Sequence, residues 1–249
     1  GTSSRYITVL EGIEDYVGEN VRVLYSEGCH LYRDRTSNLA MEHDRDSEVR
    51  AVCEASDVVI AVVGLDATLE GEEGDTGNEY GSGDKPNLNL PGLQPDIIRI
   101  AKESGKPVIV VLLAGSAMAL SWEDEHVDAI LDGFYPGAQG GAAIAEILFG
   151  GANPEGKLPI TFYQTTEELP EFTDYAMKGR TYRYMENEAL YPFGYGLSYT
   201  TYAYGNLECV KPFDAQDGIT LQVTVTNTGD REGTETLQVY VKAKREGTP

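Results

Sequence analysis

The stretch Asp57-Val58-Val59-Ile60-Ala61-Val62-Val63-Gly64 is an unbroken apolar run, rich in β-branched residues and closed by glycine. β-branched side chains lose rotamer freedom in a helix and pack well on a pleated surface. A strand without polar alternation is buried on both faces, the condition of a parallel sheet covered by helices. Residues 21–25, 107–113 and 129–135 are read as companion strands. Between them, residues 7–17, 46–55, 93–104 and 140–149 space apolar side chains at i, i+3 and i+4, which gathers them on one helical face.

This alternation predicts an α/β fold over residues 1–165: a three-layer α/β/α sandwich with a mainly parallel sheet and right-handed crossovers. Residues 7–17 open as a helix with no strand ahead of them, so a first strand is expected to precede the chain. Residues 166–206 form an aromatic, proline-punctuated connector. Beyond it, residues 218–227 and 235–242 alternate apolar and polar around the turn 228–233, as paired strands of a β-sandwich do. Two strands cannot close a sandwich, so this part, 207–249, reads as one cut short.

Forty-one acidic against 19 basic residues leave a formal charge of -22. Such a chain repels nucleic acid and anionic membrane surfaces, and no apolar run approaches the roughly 20 residues of a membrane span. Cys29, Cys53 and Cys209 form no CxxC pair, so neither a disulfide framework nor a thiolate zinc site is suggested; this fits a reducing compartment and favours the cytoplasm.

In open α/β sheets, ligands meet the loops at the carboxyl ends of the strands. The loop after Gly64 begins Leu65-Asp66-Ala67-Thr68-Leu69-Glu70-Gly71-Glu72-Glu73, and six acids occupy the sixteen positions from 70 to 85. Crowded carboxylates raise one another's pKa, and a carboxyl lifted toward neutrality can hand a proton to a leaving group. Composition alone also allows a solvated surface loop or a calcium site, although the spacing of an EF-hand loop is missing.

No GxGxxG or GxxxxGK[ST] cradle is present, which disfavours nucleotides. Ala114-Gly115-Ser116-Ala117 follows a strand but lacks the flanking glycines of a nucleophile elbow. His30, His43 and His126 are mutually isolated. Trp122 and the tyrosines of residues 182–199 read first as packing and second as sugar platforms.

Four motifs carry a resemblance: Gly64-Leu65-Asp66-Ala67-Thr68-Leu69-Glu70-Gly71-Glu72, Asn153-Pro154-Glu155-Gly156-Lys157-Leu158-Pro159, Gly179-Arg180-Thr181-Tyr182-Arg183-Tyr184 and Pro192-Phe193-Gly194-Tyr195-Gly196-Leu197-Ser198-Tyr199. With them the chain resembles the second domain of glycoside hydrolase family 3 enzymes, followed by the start of their fibronectin type III-like domain. The resemblance implies a fragment of a retaining exo-β-glycosidase acting on terminal β-D-glucosides or β-D-xylosides. Its nucleophile, an aspartate, would lie on a TIM-like barrel absent from this chain, and its general acid/base would fall on Glu72, with Glu70 and Glu73 as alternates. The implied partners are a glycoside or oligosaccharide substrate and that barrel; no cofactor and no metal are implied. Many relatives carry Asp-Arg after the glutamate, whereas this chain reads Glu73-Gly74-Asp75-Thr76, so that arginine's contacts do not carry over. A non-catalytic carbohydrate-binding or scaffolding domain is the alternative.

Overall fold

The computed structural model describes residues 3–35, 37–70, 85–214, 216 and 218–240. Helix α1 (Val9–Val17) starts where Thr8 Oγ1 accepts the Glu11 N–H at 3.1 Å, satisfying a donor that a helix start leaves open. It stops at Gly18, whose φ of 56° suits glycine. Then follow α2 (Asp46–Glu54), β1 (Val59–Gly64), α3 (Gln94–Glu103), β2 (Val108–Leu113), α4 (Ser121–His126), β3 (Ala129–Asp132) and α5 (Gly140–Leu148). Strands β1, β2 and β3 lie side by side in that order, all parallel, with Ala61 opposite Val110 and Val110 opposite Ile130.

The two-residue period of a strand sorts the layers. Along β2, Val108, Val110 and Leu112 face α2 and α3, where they join clusters containing Val49, Cys53, Ile98, Ile100 and Ala101. Val111 and Leu113 face α1 and α5, where they join Val9, Ile13, Ile144 and Ala145. Val108, Val110, Val111 and Leu112 are fully buried. At roughly 1.5–3 kcal/mol per buried aliphatic side chain, this central strand is a principal source of cohesion. Helices α1 and α5 approach until backbones touch: a Cβ on Gly12 would overlap the Gly141 carbonyl, and one on Gly141 would overlap that of Thr8.

Several expectations are corrected. Residues 21–25 form no strand; Val23 packs on the core while Val21 and Tyr25 remain exposed, and apolar character without a ladder partner makes no strand. The strand expected over 129–135 stops at Asp132, where Asp132 Oδ1 accepts the Phe134 N–H at 3.0 Å and turns the chain. Helix α4 was not foreseen, because Ser121-Trp122-Glu123-Asp124-Glu125-His126 carries no apolar period. Beyond the short helix α6 (Thr181–Tyr184), strand β4 (Tyr202–Asp214) pairs antiparallel with β5 (Gly218–Asn227), Tyr202 opposite Asn227. Residues 235–240, the expected partner of 218–227, form no strand; Glu235 accepts from the Tyr204 hydroxyl and Gln238 donates to the Gly194 carbonyl. Residues 241 and 242 lie outside the described residues.

The motifs at 153–159 and 192–199 hold each other. Leu158 N–H donates to the Tyr195 carbonyl at 2.8 Å and Gly194 N–H to the Leu158 carbonyl at 2.7 Å. Lys157 Nζ donates to the Gly196 carbonyl at 2.6 Å, and Asn153 Oδ1 accepts the Tyr199 N–H at 2.8 Å. Their distinctive residues are therefore the staples of an irregular connector.

Candidate functional site

Strand β1 ends at Gly64, which has φ 136° and room for no side chain, since a Cβ would overlap the Leu113 backbone. The buried amide of Gln94 clasps it: Gly64 N–H donates to Oε1 at 2.7 Å and Nε2 donates to the Gly64 carbonyl at 2.9 Å. Leu65 is buried and extends the pairing, its N–H donating to the Leu113 carbonyl at 2.8 Å. Asp66 Oδ1 then accepts from the Thr68 N–H and hydroxyl, while the Asp66 carbonyl accepts the Leu69 and Glu70 N–H groups. Side-chain capture of this kind favours a turn over continued strand. Leu69 is wholly buried in the main core, so Glu70 leaves the sheet from a fixed point.

The Glu70 carboxylate gathers the loops that follow all three strands. Oε2 accepts the Gly115 N–H at 2.8 Å, Oε1 accepts the Ser116 hydroxyl, and Oε2 also accepts the Tyr135 hydroxyl. The convergence requires glycine at 115: a Cβ there would stand 2.6 Å from the Tyr135 ring and 2.9 Å from Glu70 Oε2. Burial alone would raise the Glu70 pKa, but hydrogen bonds from Ser116, Tyr135 and Gly115 outweigh it and hold the carboxyl below its ordinary value. Tyr135 is driven the other way, by burial of its hydroxyl end and by the adjoining carboxylate. Lys85 is half-buried beside Met118 Sδ, 3.1 Å from Nζ; burial lowers its pKa while the charge of Glu70 works against the shift.

Of the three glutamates singled out from sequence, Glu70 is placed here, and Glu72 and Glu73 lie outside the described residues. The Ser116 hydroxyl donates to Glu70. The histidines have local partners: His30 Nδ1 accepts from Tyr32 and Arg33 N–H groups, His43 sits 3.3 Å from Asp46, and His126 stacks on Trp122. Trp122 packs on the main core beneath the Arg99 guanidinium. The connector aromatics pack on one another, Tyr182 on Phe193 and Tyr191 on Tyr195. Among the described residues, no group of three His, Cys, Asp or Glu side chains could hold a metal ion. Sequence reasoning missed Gln94, Gly115, Lys85 and Tyr135; position at a strand end was the one available signal, and it applied to Gly115 and Tyr135.

The class defined so far is a three-layer α/β domain with an acidic segment at its strand-end edge. The family model described as the glycosyl hydrolase family 3 C-terminal domain matches residues 1–199. The chain belongs to glycoside hydrolase family 3. It is 47% identical over 187 residues to a xylan 1,4-beta-xylosidase of Xylanibacter ruminicola, covering 74% of this chain and 21% of that protein. It is 37% identical over 268 residues to a periplasmic beta-glucosidase of Salmonella typhimurium, covering 97% of this chain and 34% of the relative. Among solved structures, a beta-glucosidase from Erythrobacter marinus superposes with a TM-score of 0.76 at 32% identity, over 92% of this chain and 33% of that one. A family 3 exo-beta-xylosidase in complex with a xylobiose aziridine probe gives 0.75 at 27% identity, over 94% and 32%. The chain thus spans about a third of these proteins, or less.

Proposed function

We propose that this chain is the acid/base-bearing part of a retaining exo-β-glycosidase that hydrolyses terminal β-D-xylosides or β-D-glucosides. Glu72 is the general acid/base, and the nucleophilic aspartate belongs to a TIM-like barrel that meets this domain. Residues 1–165 are the α/β domain, 166–206 the connector and 207–249 the beginning of a fibronectin type III-like module. One observation carries the reading: the acidic segment departs from the carboxyl end of β1, and its first carboxylate is bound by the loops after β2 and β3. Family membership and the names of the relatives support the substrate class.

The choice among the glutamates follows from proton chemistry. A general acid that later serves as base must gain and lose a proton near working pH. Glu70 accepts three hydrogen bonds that favour its ionised form, which suits an anchor and not a proton donor. Glu72, two residues on, takes the role, and Glu73 is its neighbour. In a retaining enzyme the two carboxyl groups stand about 5–5.5 Å apart. One attacks the anomeric carbon while Glu72 protonates the departing oxygen; Glu72 then removes a proton from the water that releases the sugar.

The test uses the longer enzyme carrying the barrel. Glu72→Ala should lower kcat/KM about 10²–10⁴-fold on glycosides with poor leaving groups and spare those whose leaving group needs no proton. Azide should restore turnover and yield the glycosyl azide. Equal losses on all substrates, with no azide product, would remove Glu72 from the role.

A further inference from the structure

The described residues on either side of 71–84 are mounted on one loop, residues 114–120. Glu70 meets it at Gly115 and Ser116, Lys85 meets it at Met118, and Ala119 N–H donates to the Leu88 carbonyl at 2.8 Å. Each mount rests on solid core, since Leu69, Ala114, Met118 and Leu120 are all fully buried. Tyr135 adds a third attachment from beyond β3, tying Glu70 across the width of the sheet.

The chemistry of these contacts is one-sided. All three groups around Glu70 donate, so the carboxylate satisfies them as an acceptor, and charge-assisted bonds of this kind are shorter and stronger than neutral ones. An amide in its place would turn an N–H₂ toward at least one donor. Lys85 stands half-buried with Nζ 3.1 Å from Met118 Sδ, and the charge of Glu70 favours its ionised form. Two opposite charges thus sit at the two ends of one segment, each met by residues of the same loop.

We propose that Glu70 and Lys85 are positioning residues, a pair of mounts on residues 114–120 that orient the general acid/base of the segment between them, with Tyr135 as the brace of the first mount. This rests on the assignment of the acid/base to Glu72. Neither residue exchanges a proton with substrate; displacing a proton donor by about 1 Å is enough to cost on the order of 100-fold in rate.

The longer enzyme is the material for the test, with Glu70→Gln, Lys85→Met, Tyr135→Phe and the double variant Glu70→Gln/Tyr135→Phe assayed on aryl β-xylosides of graded leaving-group ability. Glu70→Gln should lower kcat/KM roughly 10–100-fold on the poorest leaving groups and less than about threefold on the most activated, with KM little changed. Lys85→Met should show the same slope with a smaller loss. Tyr135→Phe keeps the ring, so it tests the brace without emptying the site; its loss should be partial and the double variant no worse than Glu70→Gln alone. No azide rescue is expected, because Glu72 still occupies the site. Losses that are equal across leaving groups, or that multiply in the double variant, would overturn the proposal. Glycosyl azide formed by Glu70→Gln would overturn it too, by making Glu70 the proton donor. The Glu72→Ala series judges the acid/base assignment separately, so the two failures are distinguishable.

Discussion

Two carboxyl groups, one just beyond β1 and one at the end of β3, are driven in opposite directions by their surroundings. Glu70, ringed by donors, is held ionised; Asp132, at the end of β3, has Oδ2 buried with no hydrogen-bond partner among the described residues and its pKa pushed by burial from the ordinary 3.8 to about 6, partly offset by the Phe134 N–H. A carboxyl whose folded pKa is raised binds its proton more tightly in the folded chain. Its contribution is therefore fully present below about pH 4 and lost as pH rises through about 6. Asp132→Asn keeps the acceptor for Phe134 and removes the buried charge. It should stabilise the chain by about 1–2 kcal/mol at pH 7, a discount from the full shift for partial solvation, and by nothing at pH 4. Urea unfolding at the two pH values measures this, and an equal effect at both would show that the charge is not the cause. The surroundings of Glu70 could not be read from neighbouring residues: its partners lie 45, 46 and 65 positions away.

At the scale of elements, periodicity located most of what formed. Residues 57–64 and 107–113 became β1 and β2 because strands buried on both faces are apolar throughout, and the four helical stretches became α1, α2, α3 and α5 to within about two residues at each end. Periodicity named no partners, so the segment at 21–25 found no ladder and β5 paired with β4 instead of with residues 235–240. Nor did it show how close two elements lie. Alanine at position 141 would ordinarily gain about 1 kcal/mol of helix propensity over glycine. Here the added methyl would meet the Thr8 carbonyl, whose neighbour Ile7 accepts the Gly141 N–H at 3.1 Å, so α1 and α5 would have to part. Gly141→Ala should cost about 2–3 kcal/mol net, against little change for Gly156→Ala, where nothing stands within 4 Å. Denaturant midpoints of the two variants provide the comparison.

On the scale of the whole molecule, the proposed reaction needs two carboxyl groups on separate domains. On the proposed division of roles, this chain supplies the acid/base alone. The isolated chain should therefore turn over no aryl β-xyloside or β-glucoside above buffer, and calorimetric titration with xylose or glucose should show no tight site. Tight sugar binding by the chain alone would favour a carbohydrate-binding module instead. The sequence by itself determined the α/β alternation, the family and the acidic character of the loop after Gly64, because strand burial, helix period and residue chemistry are local properties. Only the tertiary structure decided that Glu70 accepts from Gly115, Ser116 and Tyr135, and that Gln94 clasps the end of β1. Those roles depend on which distant donors a fold brings within hydrogen-bond reach, and on glycine at 115 leaving the space in which they meet.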